Sequence, residues 1–391
     1  MNNVPNLRFK EFSGEWESVM LKDVASIVGG GTPSTTEERY WNGKIPWFTP
    51  TEIKEEKYVY ESQRTITEEG LQKSSAKLLP KGSILLTTRA SLGDMAISIR
   101  EVSTNQGFQS IIVKDGTSNE FIYYLQPKIK KYCYTKASGS TFLEISKNNI
   151  EKFTFRIPNL NEQEKIASFF SLIDKKIELQ TEKVEQLKNY KRGIMQKIFS
   201  QELRFKDENG NDFPNWKQYK VKDLFDVTRG VVIAKNEISD KSNETFKYAV
   251  YSSQTSNKGI LGYDQTFDFD GNYLTWTTDG ANAGRVFCRS GKFRCTNVCG
   301  VLVEKDNTIG YANKLVAEIL NKETPKYVSY VGNPKLMNGV MAEIKLSIPS
   351  LEEQIKIDKL INQLDIKIEN EQMKLSLLVD YKKGLLQQMF I

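Results

Sequence analysis

Two long stretches of this chain carry apolar residues at every third and fourth position, and one stretch is a copy of the other. In the first, the period runs through Ile166, Phe170, Ile173, Ile177, Val184, Leu187, Ile194 and Ile198. In the second it runs through Ile357, Ile361, Leu364, Ile368, Leu375, Leu378, Leu385 and Met389. A heptad seam of this kind predicts a helix that needs a partner helix. The copies extend from Ile157 to Phe199 and from Ile348 to Phe390 without a gap. About 18 of about 43 positions are identical, the mark of a duplicated structural unit. Each begins Ile-Pro-x-Leu-x-Glu-Gln-x-Lys-Ile and ends in Tyr-Lys-x-Gly and an aromatic residue. The proline precedes the helical pattern, where its missing N–H is harmless. Even the polar breaks in the seam are matched, Gln180 with Glu371 and Lys191 with Lys382, and such breaks fix helix register. Matched seams predict that the two helices pack on each other. The alternative is two amphipathic helices buried separately.

The duplication reaches further. Leu7-Arg8-Phe9-Lys10 returns as Leu203-Arg204-Phe205-Lys206, Trp16 as Trp216, and Leu21-Lys22-Asp23-Val24 as Val221-Lys222-Asp223-Leu224. Repetition of these lead-in segments predicts that each packs on something equivalent in its own half. Between lead-in and helix lie two regions that are not copies. In the first, glycine and proline make Gly29 to Thr36 a loop, and Asn42-Gly43 between aromatic flanks signals a tight turn. Strands are expected at Ser83–Thr88, Met95–Ile99 and Ser110–Val113, with a helix over Glu120–Tyr134. In the second, strands are expected at Phe246–Tyr251, Asn272–Thr277, Gly284–Cys288 and Val298–Val303, with a helix over Gly310–Lys322. The resulting division is 1–157, 158–200 (first helix), 201–347 and 348–391 (second helix). The fold class is α+β.

Composition narrows the chemistry. The 391 residues carry a formal net charge of +6 and a pI near 8.8, mildly basic and compatible with a nucleic-acid partner. There is no histidine, which removes every His-based triad and His-containing zinc site. Four irregularly spaced cysteines do not make a disulfide framework, which fits a reducing compartment. Met1–Lys10 has no apolar core of a signal peptide, and no apolar run reaches the roughly 18 residues of a membrane helix. A soluble, cytoplasmic chain is expected.

No catalytic motif stands out. The Gly29–Thr36 loop lacks the Gly-Lys-Ser/Thr of a P-loop, and neither GxGxxG nor GxSxG occurs in the required context. The acidic or amide-Pro-Pro-aromatic run of an amino-methyltransferase is also missing. Cys288, Cys295 and Cys299 lack a fourth ligand and zinc-type spacing, and read as buried strand cysteines. The loops instead offer amides, hydroxyls and arginines. Asn and Gln suit adenine, Arg suits guanine, and Ser or Thr suits either base or phosphate.

In order along the chain, Gly29-Gly30-Gly31-Thr32-Pro33-Ser34, Trp41-Asn42-Gly43-Lys44-Ile45-Pro46-Trp47, Leu79-Pro80-Lys81-Gly82-Ser83, Asn105-Gln106-Gly107-Phe108 and both Ile-Pro-x-Leu-x-Glu-Gln helices resemble the specificity (S) subunit of type I restriction–modification systems. Tyr273-Leu274-Thr275-Trp276-Thr277-Thr278-Asp279-Gly280 is similar to another recognition-domain type of that family. The resemblance covers the whole chain. It implies two mixed α/β target-recognition domains separated by two long antiparallel coiled-coil helices, a pseudo-two-fold internal repeat. It implies a non-catalytic chain that binds double-stranded DNA, each domain reading half of a split site. Two modification (methyltransferase) subunits would methylate adenine N6, and two restriction (translocase/nuclease) subunits would join them. No cofactor is expected on this chain; S-adenosylmethionine, ATP and Mg are expected on those partners, and no membrane is involved. A helix of about 43 residues spans about 65 Å, which suits half-sites one or two duplex turns of about 34–36 Å apart. The DNA-contact candidates are Thr32, Ser34, Lys44, Thr88, Arg89, Ser91, Asn105 and Gln106 in the first domain. In the second they are Arg229, Ser253, Gln254, Asn257, Lys258, Thr278, Asn282 and Arg285. The competing readings are a coiled-coil scaffold joining two protein-binding domains and, more remotely, a self-sufficient methyltransferase or nuclease.

Overall fold

The structure is a computed structural model that describes residues 3–54, 56–139, 143–305 and 310–391. The chain divides into two compact units, one made of Met1–Thr181 with Met373–Ile391 and the other of Glu182–Gln372. In chain order the first unit contains β1 (Glu17–Met20), α1 (Leu21–Val24), β2 (Ala25–Gly29), β3 (Trp41–Phe48), β4 (Tyr58–Val59), β5 (Arg64–Ile66), α2 (Glu68–Gln72), β6 (Ile84–Leu86), β7 (Met95–Ser98), β8 (Ser103–Thr104), β9 (Gln109–Val113), α3 (Asn119–Tyr124), α4 (Gln126–Lys136), α5 (Lys147–Glu151) and β10 (Thr154–Ile157). The long helix α6 (Leu160–Phe199) follows. The second unit contains β11 (Lys217–Lys220), α7 (Val221–Leu224), β12 (Phe225–Arg229), β13 (Tyr248–Tyr251), β14 (Ile260–Asp264), β15 (Phe269–Thr277), β16 (Val286–Cys295), β17 (Cys299–Glu304), α8 (Lys314–Glu323), α9 (Asn338–Glu343) and β18 (Lys345–Ile348). The long helix α10 (Leu351–Met389) ends the chain but for two residues.

The fold class is the expected one. In the first unit, sheet order is β2-β9-β6-β7-β4 in one sheet and β5-β3-β8 in another; the second unit has a six-stranded sheet of order β12-β17-β15-β16-β13-β14. Each domain is tied off at its base by a two-stranded antiparallel clasp. Glu17 lies opposite Ile157 in the first clasp and Lys217 opposite Ile348 in the second.

The repeated motifs explain the helix roots. Glu162 is fully buried and takes a fork from Arg8 of the lead-in segment, Nε to Oε1 at 2.8 Å and Nη2 to Oε2 at 2.7 Å. Glu353 takes the same fork from Arg204, at 3.1 and 2.7 Å. Planar bidentate geometry of this kind is what arginine supplies and lysine does not. The neighbouring glutamine docks the domain's own helix. Gln163 Oε1 accepts from the backbone N–H of Ser118, the N-cap of α3, at 2.9 Å. Gln354 Oε1 accepts from the side-chain amide of Asn313, the N-cap of α8, at 2.8 Å. Each glutamine also donates to its own proline carbonyl, Pro158 at 2.9 Å and Pro349 at 3.0 Å.

None of the heptad-seam residues is exposed. In the first unit, Ile166, Phe170 and Ile173 of α6 share a core with Leu385, Met389 and Phe390, and Asp174 pairs with Lys382 at 2.5 Å. The partner's number falls as that of α6 rises, so the helices run antiparallel. In the second unit, Met195 and Ile198 share a core with Ile357 and Ile361 of α10. There Lys183 pairs with Glu371 at 3.0 Å and Lys191 with Asp365 at 2.7 Å. The Lys191–Asp365 and Lys382–Asp174 pairs are the same pair in the two copies, so two of the matched polar breaks, Lys191 and Lys382, are cross-helix ion pairs.

Several expected elements differ. Ile157 and Ile348 close the basal clasps, and the helices start three residues later, where the Asn159 side chain accepts from Glu162 N at 3.0 Å. The helix expected over Glu120–Tyr134 is two helices that break at Leu125, the residue before α4, whose second position is Pro127. Asn42-Gly43 is no hairpin turn. It is a bulge within β3, where Ile66 lies opposite both Trp41 and Ile45 and Asn42 takes φ 60°. The Lys-Asp segments are single helical turns, α1 and α7. In the second unit β16 runs ten residues, β14 was not foreseen, and α8 begins at Lys314. No described helix is long and apolar enough to cross a membrane.

Candidate nucleic-acid interface

In the first unit three loops meet at one end of the five-stranded sheet: Gly30–Thr36 after β2, Thr87–Asp94 between β6 and β7, and Asn105–Phe108 before β9. Gly31 N donates to Thr104 O at 2.8 Å, and Thr88 N to Gly107 O at 2.9 Å. The Thr32 hydroxyl donates to Gln106 Oε1 at 2.5 Å. A Cβ on Gly30 would lie 2.0 Å from Asn105 O, so only glycine permits this approach. Asn105 Oδ1 accepts from Gly107 N at 2.8 Å, and Arg89 Nε lies 3.1 Å from where a Gly107 Cβ would be. Ala90 beside it adopts φ 60°, a conformation rarely held without surrounding constraint; Thr87 supplies it by donating to Ser91 O and accepting from Asp94 N.

The sequence candidates sort accordingly. Thr32, Arg89, Asn105 and Gln106 are brought together, the first three half-buried and Gln106 exposed. Ser91 is half-buried and donates to Pro50 O at 3.3 Å. Thr88 is fully buried, its hydroxyl without a partner, and does not reach the surface. Ser34 is exposed and bonded to Thr36. Lys44 stands apart on β3, where its carbonyl accepts from Arg100 at 3.4 Å. One residue was missed: exposed Arg64, whose guanidinium lies 3.5 Å over the Trp41 ring while the Trp41 indole donates to Ser34 O. A single arginine on a short strand carries no sequence signal for such a contact.

In the second unit the Ser252–Gly259 and Thr277–Arg285 loops join through Asn282, whose amide donates to Thr255 Oγ1 at 3.0 Å. Ser253 and Gln254 spend their donors on the carbonyls of Val298 and Ile260. Thr278 is buried and bonded to Val298 O and Asp279. These residues shape the loops. Asn257 and Lys258 are exposed, both in the left-handed region, and Lys258 is held to Glu369 of α10 at 2.6 Å. Arg229, Asn257 and Arg285 are exposed and in no side-chain hydrogen bond or ion pair among the described residues. Arg229 ends β12 opposite Gly300. Gly230 after it has no room for a Cβ, which would lie 1.9 Å from Cys295 O. It occupies the position that Gly30 has in the first unit.

Arg289 was also missed. It is 7% exposed and has no carboxylate partner among the described residues. Its Nε donates to Thr275 Oγ1 at 3.2 Å, and the guanidinium lies 3.7 Å over Tyr251 and 4.3 Å over Phe287. Burial lowers its pKa. Nη2 comes within 2.8 Å of a Cβ position on Gly259, so Arg289 props the Ser252–Gly259 loop from beneath.

The cysteines are free thiols. Cys295 and Cys299 are buried and bonded at 3.5 Å, which with burial pushes the Cys295 thiol up; Cys288 is only half-buried, its thiol pushed up to about 11 by burial. Among the described residues no group of three or more acidic or cysteine side chains is placed to hold a metal.

Comparison with known proteins agrees with this architecture. The family model for the type I restriction modification DNA specificity domain matches residues 13–189 and again 214–378. The MjaIX specificity subunit of Methanocaldococcus jannaschii is 34% identical over 236 residues, which cover 57% of this chain and 55% of that one; the chain thus spans about half the length of that relative. The EcoprrI specificity subunit of Escherichia coli is 27% identical over 90% of this chain and 88% of its own. The crystal structure of a type I S subunit from M. genitalium superposes with a TM-score of 0.62 at 17% identity, covering 99% of each chain. With its domain matched twice along one chain, and the repeat built as two clasped domains on paired helices, the protein belongs to the specificity (S) subunits of type I restriction–modification systems.

Proposed function

We propose that each unit reads one half of a bipartite DNA site, and that the complex formed with modification and restriction subunits methylates adenine N6 or cleaves accordingly. A specificity subunit is the non-catalytic member of its complex. Two modification subunits holding S-adenosylmethionine and two restriction subunits using ATP and Mg would supply the chemistry. The observation that carries the reading is a pairing of sameness and difference. Two helix roots of identical design bear polar loop clusters with different residues. Arg89, Asn105, Gln106 and Thr32 are the base-contacting set in the first domain, and Arg229, Asn257 and Arg285 in the second. Their chemistry fits guanine for arginine and adenine for the amides. Thr278, bonded to Val298 O and Asp279, holds loop shape, and buried Thr88 stands outside the contacting set.

The test is adenine-methylation mapping of a genome in cells expressing this chain with a matching modification subunit. The expected result is a motif of two short blocks around a fixed gap. An assembled complex that adds no methylation overturns the proposal.

A further inference from the structure

Beside the second unit's loop cluster, the C-terminal half of α6 and the outer face of α8 enclose a groove of about 640 Å³. Cations dominate it. Lys191 is taken up by Asp365 and, at 3.5 Å, by Glu318, and Lys188 by Glu185 at 2.6 Å. Arg192, Lys322 and Arg285 have no carboxylate within ion-pair distance among the described residues, and all three are exposed. Lys322 lies 5.2 Å over the Phe199 ring, which also lines the groove. Arg285 belongs to the Thr277–Arg285 loop, so the groove continues the candidate reading surface onto the spacer helix.

The repeat supplies a control. The counterpart of Phe199 is Phe390, which is buried and packed 5.1 Å from Phe121 and 6.0 Å from Phe170. The counterparts of Lys188, Lys191 and Arg192 are Val379, Lys382 and Lys383. The helix end therefore does not need a groove in order to anchor a domain. The second unit leaves it open, and Lys322 and Arg285 join the helix's own cations there.

We infer that this groove binds DNA backbone phosphates on the spacer side of the second half-site, with Arg192 and Lys322 as the phosphate-contacting side chains and Arg285 of the base-contacting set at its edge. This rests on the proposed reading function and adds a sequence-independent contact within the gap. Such contacts position the duplex and carry no base information. Each released counterion contributes about 0.9 to the slope of log affinity against log salt concentration.

The experiment uses the full chain with its modification subunits and duplexes bearing the mapped site. R192E/K322E is expected to reduce the salt slope by about 2. It should weaken binding of site-bearing and site-free duplexes by the same factor, on the order of tenfold or more at low salt, and leave the methylated motif unchanged. R192K/K322R should keep the slope. Replacing single gap phosphates by neutral methylphosphonates should weaken the wild type and not R192E/K322E. An unchanged slope in an intact complex overturns the inference, as does loss of the modification subunits with DNA binding otherwise preserved, which would make the groove a protein-docking surface. A wild-type complex that reads no motif removes the reading function and this inference with it; a wild type that reads its motif while the variant's slope is unaltered removes the groove alone.

Discussion

At the root of the first unit Arg8 forks onto buried Glu162, Gln163 holds the cap of α3, and Lys382 meets Asp174. At the root of the second, Arg204, Glu353, Gln354, Lys191 and Asp365 repeat the arrangement. Above these roots the units part. One carries a five-stranded and a three-stranded sheet, the other a six-stranded sheet. A long-range bidentate pair and a buried amide tolerate little variation, because losing either partner leaves a desolvated polar group behind. The loops at the sheet ends meet solvent, so their residues change freely provided the backbone keeps its approach. In the first unit Gly30 guards that approach against Asn105 O, and in the second its counterpart Gly230 lies against Cys295 O at the end of β16. The lesson is a constant root beneath a variable domain.

The largest expected effect comes from exchange. Replacing residues 16–156 by the corresponding region of another specificity subunit should change one block of the methylated motif completely and leave the other intact. A change in both blocks would break the comparison at its base.

Next are the forks. Arg204→Ala leaves Glu353 buried with no side-chain donor among the described residues, and should destabilise the second unit by about 3–5 kcal/mol. Arg8→Ala leaves Glu162 the indole N–H of Trp16, 3.3 Å away, whereas Trp216 Nε1 is buried without a partner. The first unit should therefore lose about 1 kcal/mol less. Denaturant titration followed by tryptophan fluorescence checks the order, and equal losses would mean that Trp16 contributes nothing.

Gly30→Ala and Gly230→Ala push a Cβ into backbone and should strain their loops by about 1–3 kcal/mol each. Each should relax the sequence requirement in its own half of the motif only, read by methylation frequency at near-match sites.

The smallest effect belongs to the cross-helix pairs. Lys382→Ala should cost about 0.5 kcal/mol, and Lys191→Ala somewhat more, toward 1 kcal/mol, because Lys191 also meets Glu318. Thermal denaturation of the two variants side by side measures the difference, which should shrink in high salt.

By itself the sequence determined the two long helices, their pairing face and the repeat, because a heptad period is local and every seam position reports the same burial. It also marked the Arg-Phe and Glu-Gln motifs as equivalent in the two halves. Only the tertiary structure could join them, since Arg8 and Glu162 lie 154 residues apart and nothing local states that they meet. The candidate site divides in the same way. Residue type pointed to Arg89, Asn105, Gln106 and Arg229, but burial decided that Thr88 and Thr278 are internal, and neighbours decided that Ser253 and Gln254 spend their donors on carbonyls. Asn42-Gly43 reads as a turn in isolation and becomes a bulge because Ile66 pairs across it. Arg289 gave no signal, since a lone arginine in a strand looks solvent-facing until Tyr251 and Phe287 close over it. Periodicity is written in neighbours along the chain, whereas burial, hydrogen-bond satisfaction and charge pairing depend on segments that only folding brings together.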